Sequence, residues 1–426
     1  MNDESYDLLI IGGGPGGSCA AALARQHNLH TLLVEKSAFP RFRIGESLLP
    51  KGNEILRETG AWEKIRHAGF VPKYGAEFYT ADGSSVKYVR FNEGLIPGLE
   101  SSFQVERSRY DSILLDHARE LGAEVRMETA AIAVESTPLN NRVTLRTHTG
   151  EHVVHARWVI DSSGRENTLM SAQKKAQDPS PFPKRMAIYS HFHGISRTEG
   201  RDAGNIQVVR LPDGWFWLIP LDHTRTSVGL VTTTDAFRDA KKSPEDYFER
   251  AIATSPKLRE LLGKASPTMP FQVTTDYSYF RTSLASDRLL LVGDAAGFFD
   301  PIFSSGVYMA GLSAKKAVEL IATAHRANRP LKASEQRRYT TEIKRHASVF
   351  QRLIAAFYDD DSFAVFMCQK IPFDLSCGMT SIVAGHADLT WPLWWRFQMF
   401  LLVCRLQRHW KVVKPGHIQT QALAEA

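Results

Sequence analysis

The sequence predicts an α/β fold. A βαβ domain with a parallel sheet carries an inserted antiparallel β-sheet, and a helical segment follows at the C-terminus. Three observations predict it: an apolar strand, glycine turn and small-residue helix lie at residues 6–25, apolar and polar residues alternate in mid-chain, and helical patterns fill the last hundred residues. The 426 residues suit two or three domains. We expect the first domain at 1–70, 100–180 and 285–330, the sheet domain at 71–99 and 181–284, and the helical region at 331–426.

The glycine turn has the spacing G-x-G-x-x-G and follows the first strand directly. Gly12 permits the tight turn, Gly14 lets the backbone approach a pyrophosphate, and Gly17 lets the helix pack closely. A second apolar strand ends eighteen residues later at Glu35, which suits a ribose hydroxyl. Together these parts predict a Rossmann-like dinucleotide site rather than a turn without a ligand. Its expected contacts are Gly12, Gly14, Pro15, Gly16, Gly17, Glu35 and Lys36.

The later elements follow from periodicity and from residues that stop helices. Helices are predicted at 53–68 and 109–121, and strands at 73–89, 124–134, 142–147, 153–160, 208–220, 226–233 and 288–292. A long helix is predicted at 305–328, where Pro330 stops it, and further helices at 335–358 and 362–370. Residues 390–413 predict an amphipathic helix that is aromatic and basic, and residues 419–426 a disordered end.

Composition excludes several classes of function. The net charge of +6, from 52 basic and 46 acidic residues, tolerates an acidic partner but does not predict nucleic-acid binding. No apolar stretch is long enough for a transmembrane segment, and the acidic N-terminus does not resemble a secretory signal. The four cysteines are scattered, which predicts no metal site and reduced thiols in a cytoplasmic protein.

Two further strands end in an acid beside a glycine. Asp161 precedes Gly164, and Gly293 precedes Asp294. Either pair alone could be a simple turn at the end of a strand. In order with the glycine motif, however, they resemble the FAD-binding monooxygenase fold of the p-hydroxybenzoate hydroxylase type over residues 5–330. Gln104 and Arg107 match another flavin-contacting segment of that class. Because no second glycine motif could hold a nicotinamide cofactor, we expect the reductant to arrive as reduced flavin or by transient contact, with a separate NAD(P)H-dependent flavin reductase as the partner.

Four segments, in the expected order, resemble the flavin-dependent halogenases. They are the loop 43–50 with Arg43, Glu46 and Ser47; Lys73 within 70–76; the W-x-W-x-I-P strand with Trp215 and Trp217; and F-x-x-P-x-x-S-x-G at 298–306 with Pro301, Phe303, Ser304, Ser305 and Gly306. Two simpler interpretations stay open at this point. The tryptophans alternate as core residues of a strand would, and Lys73 could be a solvated surface lysine.

The resemblance implies a mechanism. Reduced FAD and O2 oxidise chloride or bromide to hypohalous acid, with the halide held by the backbone amides of Ser305 and Gly306. Lys73 is the implied catalytic residue, which captures or orients the oxidant. The implied tunnel and substrate pocket comprise Trp215, Trp217, Pro301, Phe303 and Ser304.

The substrate class follows from one departure. Family members that halogenate free tryptophan carry a glutamate where this chain has Phe303, so the resemblance implies a phenol or pyrrole, either free or tethered to an acyl or peptidyl carrier protein. The basic C-terminal segment would then be a lid or a docking surface. Alternatives are an FAD-dependent aromatic hydroxylase, a polyprenyl reductase and an inactive flavin-binding or carrier-docking protein. No histidine forms a recognisable dyad in the sequence, so the general base is not predicted.

Overall fold

The computed structural model describes residues 4–137, 139–166, 177–178, 182–275, 278–298, 300–369 and 371–411. The predicted disordered end at 419–426 lies outside them. The strands, in chain order, are β1 (Ser5–Ile11), β2 (Thr31–Val34), β3 (Val71–Lys73), β4 (Gly75–Thr80), β5 (Val86–Arg90), β6 (Ser102–Gln104), β7 (Glu124–Arg126), β8 (Ala130–Ser136), β9 (Asn141–Thr147), β10 (Gly150–Asp161), β11 (Gln177–Asp178), β12 (Arg185–His193), β13 (Ile206–Leu211), β14 (Gly214–Pro220), β15 (Arg225–Thr233), β16 (Ser266–Pro267), β17 (Gln272–Thr275), β18 (Tyr279–Arg281), β19 (Leu289–Leu291) and β20 (Gly297–Phe298).

The helices surround these strands and fill the C-terminal region. In chain order they are α1 (Pro15–Gln26), α2 (Gly52–Thr59), α3 (Trp62–Arg66), α4 (Arg107–Glu120), α5 (Thr234–Ala240), α6 (Pro244–Thr254), α7 (Pro256–Leu262), α8 (Gly306–Arg326), α9 (Ala333–Tyr358), α10 (Asp360–Met367), α11 (Leu375–Val383) and α12 (Trp391–Trp410). In the described part of the chain, no helix has the length and apolar character needed to span a membrane.

The first sheet has a parallel centre. Its order is β7-β2-β1-β10-β9-β8, and β19 also pairs with β10. β1 runs parallel to β2 and β10, and β10 runs parallel to β19. The register places Ile11 and Leu291 beside Asp161, so three strands end at one edge of the sheet. In open α/β folds this carboxyl edge is where ligands bind.

The second sheet is mainly antiparallel and contains the W-x-W-x-I-P strand. Its order is β16-β12-β15-β14-β13-β4-β5, with β17 also on β12. Along β14, Trp215 and Trp217 face the main core that includes the first sheet, whereas Phe216 and Leu218 face a separate core with α6 and α7. This alternation confirms that the two tryptophans point to one face and are buried, as expected for neighbouring odd positions of a strand.

Three predicted elements are wrong in their continuity. The single helix at 53–68 is two helices, α2 and α3, because Gly60 ends the first in a left-handed conformation with φ 83°. The single strand at 124–134 is β7, which pairs with β2, and β8, which pairs with β9. The strand at 208–220 is the hairpin of β13 and β14. In each case the pattern of apolar and polar residues continues across a turn, so periodicity alone does not reveal the break.

The C-terminal helices are part of the core. α9 carries Phe350, Leu353 and Phe357, which are all fully buried in the main core. Phe363 and Phe366 of α10 join the same core, and α12 adds Phe397 and Phe400. The helical C-terminal segment predicted from sequence is therefore confirmed, and its helices share one hydrophobic core with the parallel-centred sheet.

Candidate active site

The glycine turn between β1 and α1 is fixed by close packing at two positions. Gly12 has φ 99°, and a Cβ there would lie 2.6 Å from the carbonyl oxygen of Ser162. A Cβ on Gly17 would lie 1.9 Å from the carbonyl oxygen of Gly12, so helix and strand can approach this closely only without a side chain. At Gly14 a Cβ would meet only the guanidinium of Arg41, at 3.3 Å. The space beside Gly14, just before α1, is therefore open, and packing within the protein does not require a glycine there.

Glu35 follows β2 and lies against the same turn. Its Oε2 accepts a hydrogen bond from the amide of Gly13 at 2.8 Å, and its Oε1 accepts one from the amide of Ser37 at 2.9 Å. The side chain is buried, whereas the neighbouring Lys36 is exposed. Each carboxylate oxygen can accept a second hydrogen bond, so a ribose hydroxyl can be bound without breaking these contacts.

The two other predicted acids lie where β10 and β19 end. Asp161 Oδ1 accepts hydrogen bonds from the amide (3.0 Å) and hydroxyl (2.6 Å) of Ser163. Burial raises the pKa of both Asp161 and Asp294. Gly164 and Gly293 adopt φ 79° and 62° beside these acids, a left-handed conformation that glycine takes without strain. The structure thus brings both motifs to the edge that holds the glycine turn.

The loop 43–50 is held by Arg107 at the start of α4. Its guanidinium forms two hydrogen bonds to Asp111, at 2.7 and 2.9 Å, and donates to the carbonyl of Ile44 at 2.7 Å. Glu46 lies deeper in this loop and contacts His191 Nε2 through Oε1 at 3.1 Å. Arg43 is exposed. The predicted contact residue Arg107 is thus a buried support of the loop, bound to protein groups.

Three predicted cofactor residues carry a buried oxygen that has no hydrogen-bond partner within the described ranges. These atoms are Glu46 Oε2, Gln104 Oε1 and Asp161 Oδ2. Gln104 is held by its other end, since Nε2 donates to the carbonyl of Gly204 at 3.0 Å. Buried acceptors without partners are rare in folded proteins and cost free energy. The hydroxyl and N–H groups of FAD are donors that would satisfy them, so these residues fit the cofactor.

Lys73 is buried rather than solvated. It ends β3, which pairs with β6, and it is only 1 % exposed. Its ammonium nitrogen donates to the hydroxyl of Ser47 at 2.8 Å and to the carbonyl of Leu48 at 2.9 Å, with the Phe91 ring 5.4 Å away. Burial lowers the pKa of Lys73 to about 7. The interpretation of Lys73 as a surface lysine is therefore wrong.

The segment 300–306 presents backbone amides at a helix start. Residues Pro301–Phe303 form a 3₁₀ turn, Ser304 is left-handed with φ 56°, and α8 begins at Gly306. Among the described residues, no backbone carbonyl accepts a hydrogen bond from the amide of Ser305 or Gly306. Free amides at the start of a 21-residue helix attract anions.

A small cavity lies between the loop 43–50 and the first turn of α8. It measures about 20 Å³ and is lined by Leu48 and Leu49 of the loop and by Val307 and Tyr308 of α8. Leu48 is also the residue whose carbonyl accepts a hydrogen bond from Lys73. The cavity has room for about one water-sized species.

Aromatic side chains surround the segment 300–306 on its other side. Phe303 packs against Phe78, Phe357 and Phe366, with ring centroids 6.0 to 6.2 Å apart. The indole of Trp217 donates to the hydroxyl of Ser227 at 3.1 Å. Pro301, Phe303 and Ser304 thus lie in one segment that packs against an apolar wall. Trp215 is connected to this segment by hydrogen bonds through the hydroxyl of Tyr358 in α9.

Several contacts were missed by sequence reasoning. Two histidine–carboxylate pairs form that the sequence did not reveal: His191 meets Glu46, and His346 Nε2 lies 2.9 Å from Asp388 Oδ1. The first pair is separated by 145 residues, which leaves no local signal. Asp300 lies inside a motif that the sequence does reveal, but its partner Tyr358 lies at the end of α9 and nothing in the sequence connects the two.

Fold and site together define a flavoprotein with a dinucleotide cleft, an amide-lined helix start and a buried lysine. The tryptophan halogenase family model matches residues 7–91 and 84–363. The chain belongs to this family.

The relatives and solved structures agree with this assignment. The chain is 34% identical to the 1H-pyrrole-2-carbonyl-[peptidyl-carrier protein] chlorinase of Pseudomonas fluorescens, over 74% of this chain and 76% of that one. It is 32% identical to the corresponding brominase of Pseudoalteromonas luteoviolacea, over 75% and 77%. The solved flavin-dependent brominase Bmp2 superposes with a TM-score of 0.82 at 27% identity, covering 93% of this chain and 99% of the other.

The protein is accordingly a flavin-dependent halogenase, an oxidoreductase that uses FAD, O2 and a halide. The resemblance and the fold class predicted from sequence are confirmed, and the relatives favour halogenation over hydroxylation.

Proposed function

We propose that this enzyme halogenates an electron-rich aromatic ring, a phenol or pyrrole, with Lys73 as its catalytic residue. The observation that carries the proposal is the buried amine of Lys73, whose pKa is lowered to about 7. At that pKa both protonation states are populated near neutral pH. The ammonium form can donate a hydrogen bond to hypohalous acid and stabilise the departing hydroxide, and the neutral form can react as an amine.

The halide is proposed to bind at the amides of Ser305 and Gly306. Bound reduced FAD, with O2, supplies the oxidation of chloride or bromide to hypohalous acid. The helix start stabilises the anion before this step, and buried Ser305 excludes water from it. The oxidant is proposed to travel from the helix start to Lys73, whose ammonium is bonded to the carbonyl of Leu48 beside the first turn of α8.

The cofactor is proposed to lie along the carboxyl edge of the first sheet. Support comes from the open turn at Gly14 and the buried, unpartnered oxygens of Glu46, Gln104 and Asp161. The full proposed set is Gly12, Gly14, Pro15, Gly16, Gly17, Glu35, Lys36, Arg43, Glu46, Ser47, Gln104, Arg107, Asp161, Gly164, Gly293 and Asp294. We also propose the three-part domain division, because the first sheet uses β1, β2, β7 to β10 and β19, whereas the second uses β4, β5 and β12 to β17.

The substrate class is proposed from the apolar wall around Phe303. Phe78, Phe357 and Phe366 pack on this ring, and Phe303 itself carries no carboxylate to activate a weakly reactive carbon. Trp215, Trp217 and Phe303 would keep the ring away from the flavin, and an acceptor that is already electron-rich then reacts with the oxidant at Lys73. The chlorinase and brominase relatives act on a pyrrolyl group held by a peptidyl carrier protein. We propose that this enzyme also takes its ring from such a carrier.

The carrier is proposed to dock on α12. Residues 391–411 include Arg396, Arg405, Arg408 and Lys411 and no acidic residue. The same helix exposes Trp391, Trp394, Leu402 and Trp410, and the Trp391 and Trp394 rings stack 5.3 Å apart. Arg408 and Lys411 pair with Asp359 and Asp361, so Arg396 and Arg405 carry the basic character of this face. Carrier proteins are acidic, so such a face with exposed aromatic rings suits their approach. α12 packs on α11, which contacts the turn containing Phe91, the ring beside Lys73.

Lys73→Met tests the catalytic proposal. With reduced FAD, O2, bromide and a pyrrole-2-carbonyl carrier thioester, the wild type should give a brominated product by mass spectrometry, and the variant should give none while hydrogen peroxide is still released. Lys87→Met is the matched control, because Lys87 is also buried and donates to two backbone carbonyls. Wild-type bromination by Lys73→Met, or a hydroxylated product formed without halide, would refute the proposal.

Arg405→Glu tests the docking surface. It should raise the apparent KM for the carrier thioester roughly tenfold without changing the rate with a free phenol or pyrrole, since a charge change in a docking surface alters encounter with the partner. Arg238→Glu makes the same charge change at an exposed site on α5 and serves as the control. Equal effects of the two variants would mean that net charge, not α12, governs the interaction.

We further propose that a separate NAD(P)H-dependent reductase supplies the reduced FAD. The enzyme would then work in the cytoplasm, beside that reductase. When chemically reduced flavin is omitted, turnover should stop, and adding a flavin reductase and NADH should restore it.

A further inference from the structure

A hydrogen-bond chain connects the W-x-W-x-I-P strand with the halide segment through the C-terminal helices. The indole N–H of Trp215 donates to the hydroxyl of Tyr358 at 2.7 Å. That hydroxyl donates to Asp300 Oδ2 at 2.5 Å. Tyr358 is the last residue of α9, 143 residues beyond Trp215, so three distant parts of the chain meet at one oxygen atom.

Asp300 controls the start of the halide segment. Its Oδ1 accepts a hydrogen bond from the amide of Ile302 at 3.1 Å and thereby caps the 3₁₀ turn Pro301–Phe303. The amide of Ser304 closes the same turn on the carbonyl of Pro301 at 2.8 Å. The next two residues are Ser305 and Gly306, so the orientation of their amides follows from this turn.

Arg185 fixes the same group from the second sheet. Its guanidinium carbon lies 3.6 Å from the centre of the Tyr358 ring, and its Nε lies 3.6 Å from Asp300 Oδ2. Asp300 is 1 % exposed and Arg185 is 5 % exposed. A buried carboxylate held by two donors beside a cation has little freedom to turn, because another orientation leaves the Tyr358 hydroxyl or the Ile302 amide without its acceptor.

We propose that Tyr358 and Asp300 are positioning residues for halide binding. One oxygen of Asp300 orients the turn, and Tyr358 holds the other oxygen, so the amides of Ser305 and Gly306 converge on one anion. The inference rests on the proposed halide site. It assigns to the C-terminal region a role in binding the halide without direct contact with it.

Tyr358→Phe tests this role because it removes one hydroxyl and preserves the ring. The FAD-loaded enzyme is titrated with bromide, and the dissociation constant is read from the flavin absorbance. Crystals soaked in bromide give the anomalous peak at Ser305 and Gly306. We expect roughly tenfold weaker bromide binding in Tyr358→Phe, with unchanged affinity for FAD. Asp300→Asn, of equal size, should weaken binding in the same direction.

Tyr339→Phe is the matched control. Tyr339 is also a buried tyrosine of α9, and its hydroxyl donates to the carbonyl of Leu291 at 2.8 Å. It should lower the melting temperature without weakening bromide binding. Wild-type bromide affinity in both Tyr358→Phe and Asp300→Asn would overturn the inference and leave the halide site standing. No bromide at Ser305 and Gly306 in the wild type would overturn the halide site itself, and the inference with it.

Discussion

Burial of Lys73 has a thermodynamic signature that can be measured without a substrate. Its pKa is about 7 in the folded protein against an ordinary value of 10.5. Between these two pH values the unfolded chain binds the proton more readily than the folded one, so wild-type stability rises with pH in that window. Below pH 7 the destabilisation caused by burying Lys73 has its full size, and above pH 10.5 it vanishes. Lys73→Met removes the ionisable group and should remove this dependence.

The size of the effect follows from the shift. One pKa unit corresponds to about 1.36 kcal/mol, so the lowered pKa of Lys73 destabilises the folded protein by about 4 kcal/mol at pH 7 and by about 1 kcal/mol at pH 9.5. The difference in unfolding free energy between wild type and Lys73→Met should therefore change by about 3 kcal/mol over this range. The two lost hydrogen bonds, to Ser47 and Leu48, shift the difference by a constant that does not depend on pH.

Urea unfolding of the FAD-loaded proteins at half-unit steps from pH 7 to pH 9.5 measures this difference. Subtracting the unfolding free energy of the variant from that of the wild type cancels the titration of all other groups, which the two proteins share. A difference that stays flat across the range would show that Lys73 keeps an ordinary pKa. It would refute both the desolvation argument and the proposal that Lys73 works in two protonation states near neutral pH.

The remaining predictions concern the cleft and the apolar wall. Gly14→Val should keep the far-ultraviolet circular dichroism of the wild type and lose bound flavin absorbance, whereas Gly17→Ala should lose the fold itself, because its Cβ would lie 1.9 Å from the Gly12 carbonyl. A folded, flavin-loaded Gly17→Ala would contradict the packing argument. Phe303→Glu should cost roughly 3 kcal/mol or more at pH 8 in urea unfolding, with the loss shrinking toward pH 5 as the buried carboxyl protonates. An equal loss at both pH values would show that the new carboxyl reaches water.

Local sequence predicts the parts of the site that are built from consecutive residues. The glycine turn, the acids after β10 and β19, and the start of α8 all lie within a few residues of the strand or helix that positions them, so motif and geometry coincide. The positions of Phe303 and Ser305 in the site could be predicted for the same reason. The alternation of Trp215 and Phe216 also predicts correctly that they serve different faces of one sheet.

Long-range contacts could not be predicted in this way. The position of Lys73 among motifs indicates its role, but its burial depends on Ser47 and Leu48, which are 26 and 25 residues away in the sequence. The His191–Glu46 pair likewise joins a strand of the second sheet to the loop after β2. Periodicity describes one element at a time, and it gives neither the partner of a side chain nor the place where a helix breaks, as at Gly60.

The position of Tyr358 matters for anyone who recombines this enzyme with its relatives. A chimera joined near residue 330 takes Trp215 and Asp300 from one parent and the α9 tyrosine from the other, so the shared hydroxyl must be matched across the junction. A crossover placed after Asp359 inherits all three side chains together. Such hybrids can exchange α10 to α12 for those of another parent and keep these three hydrogen-bonded side chains, provided that a ring like Phe366 still packs on Phe303.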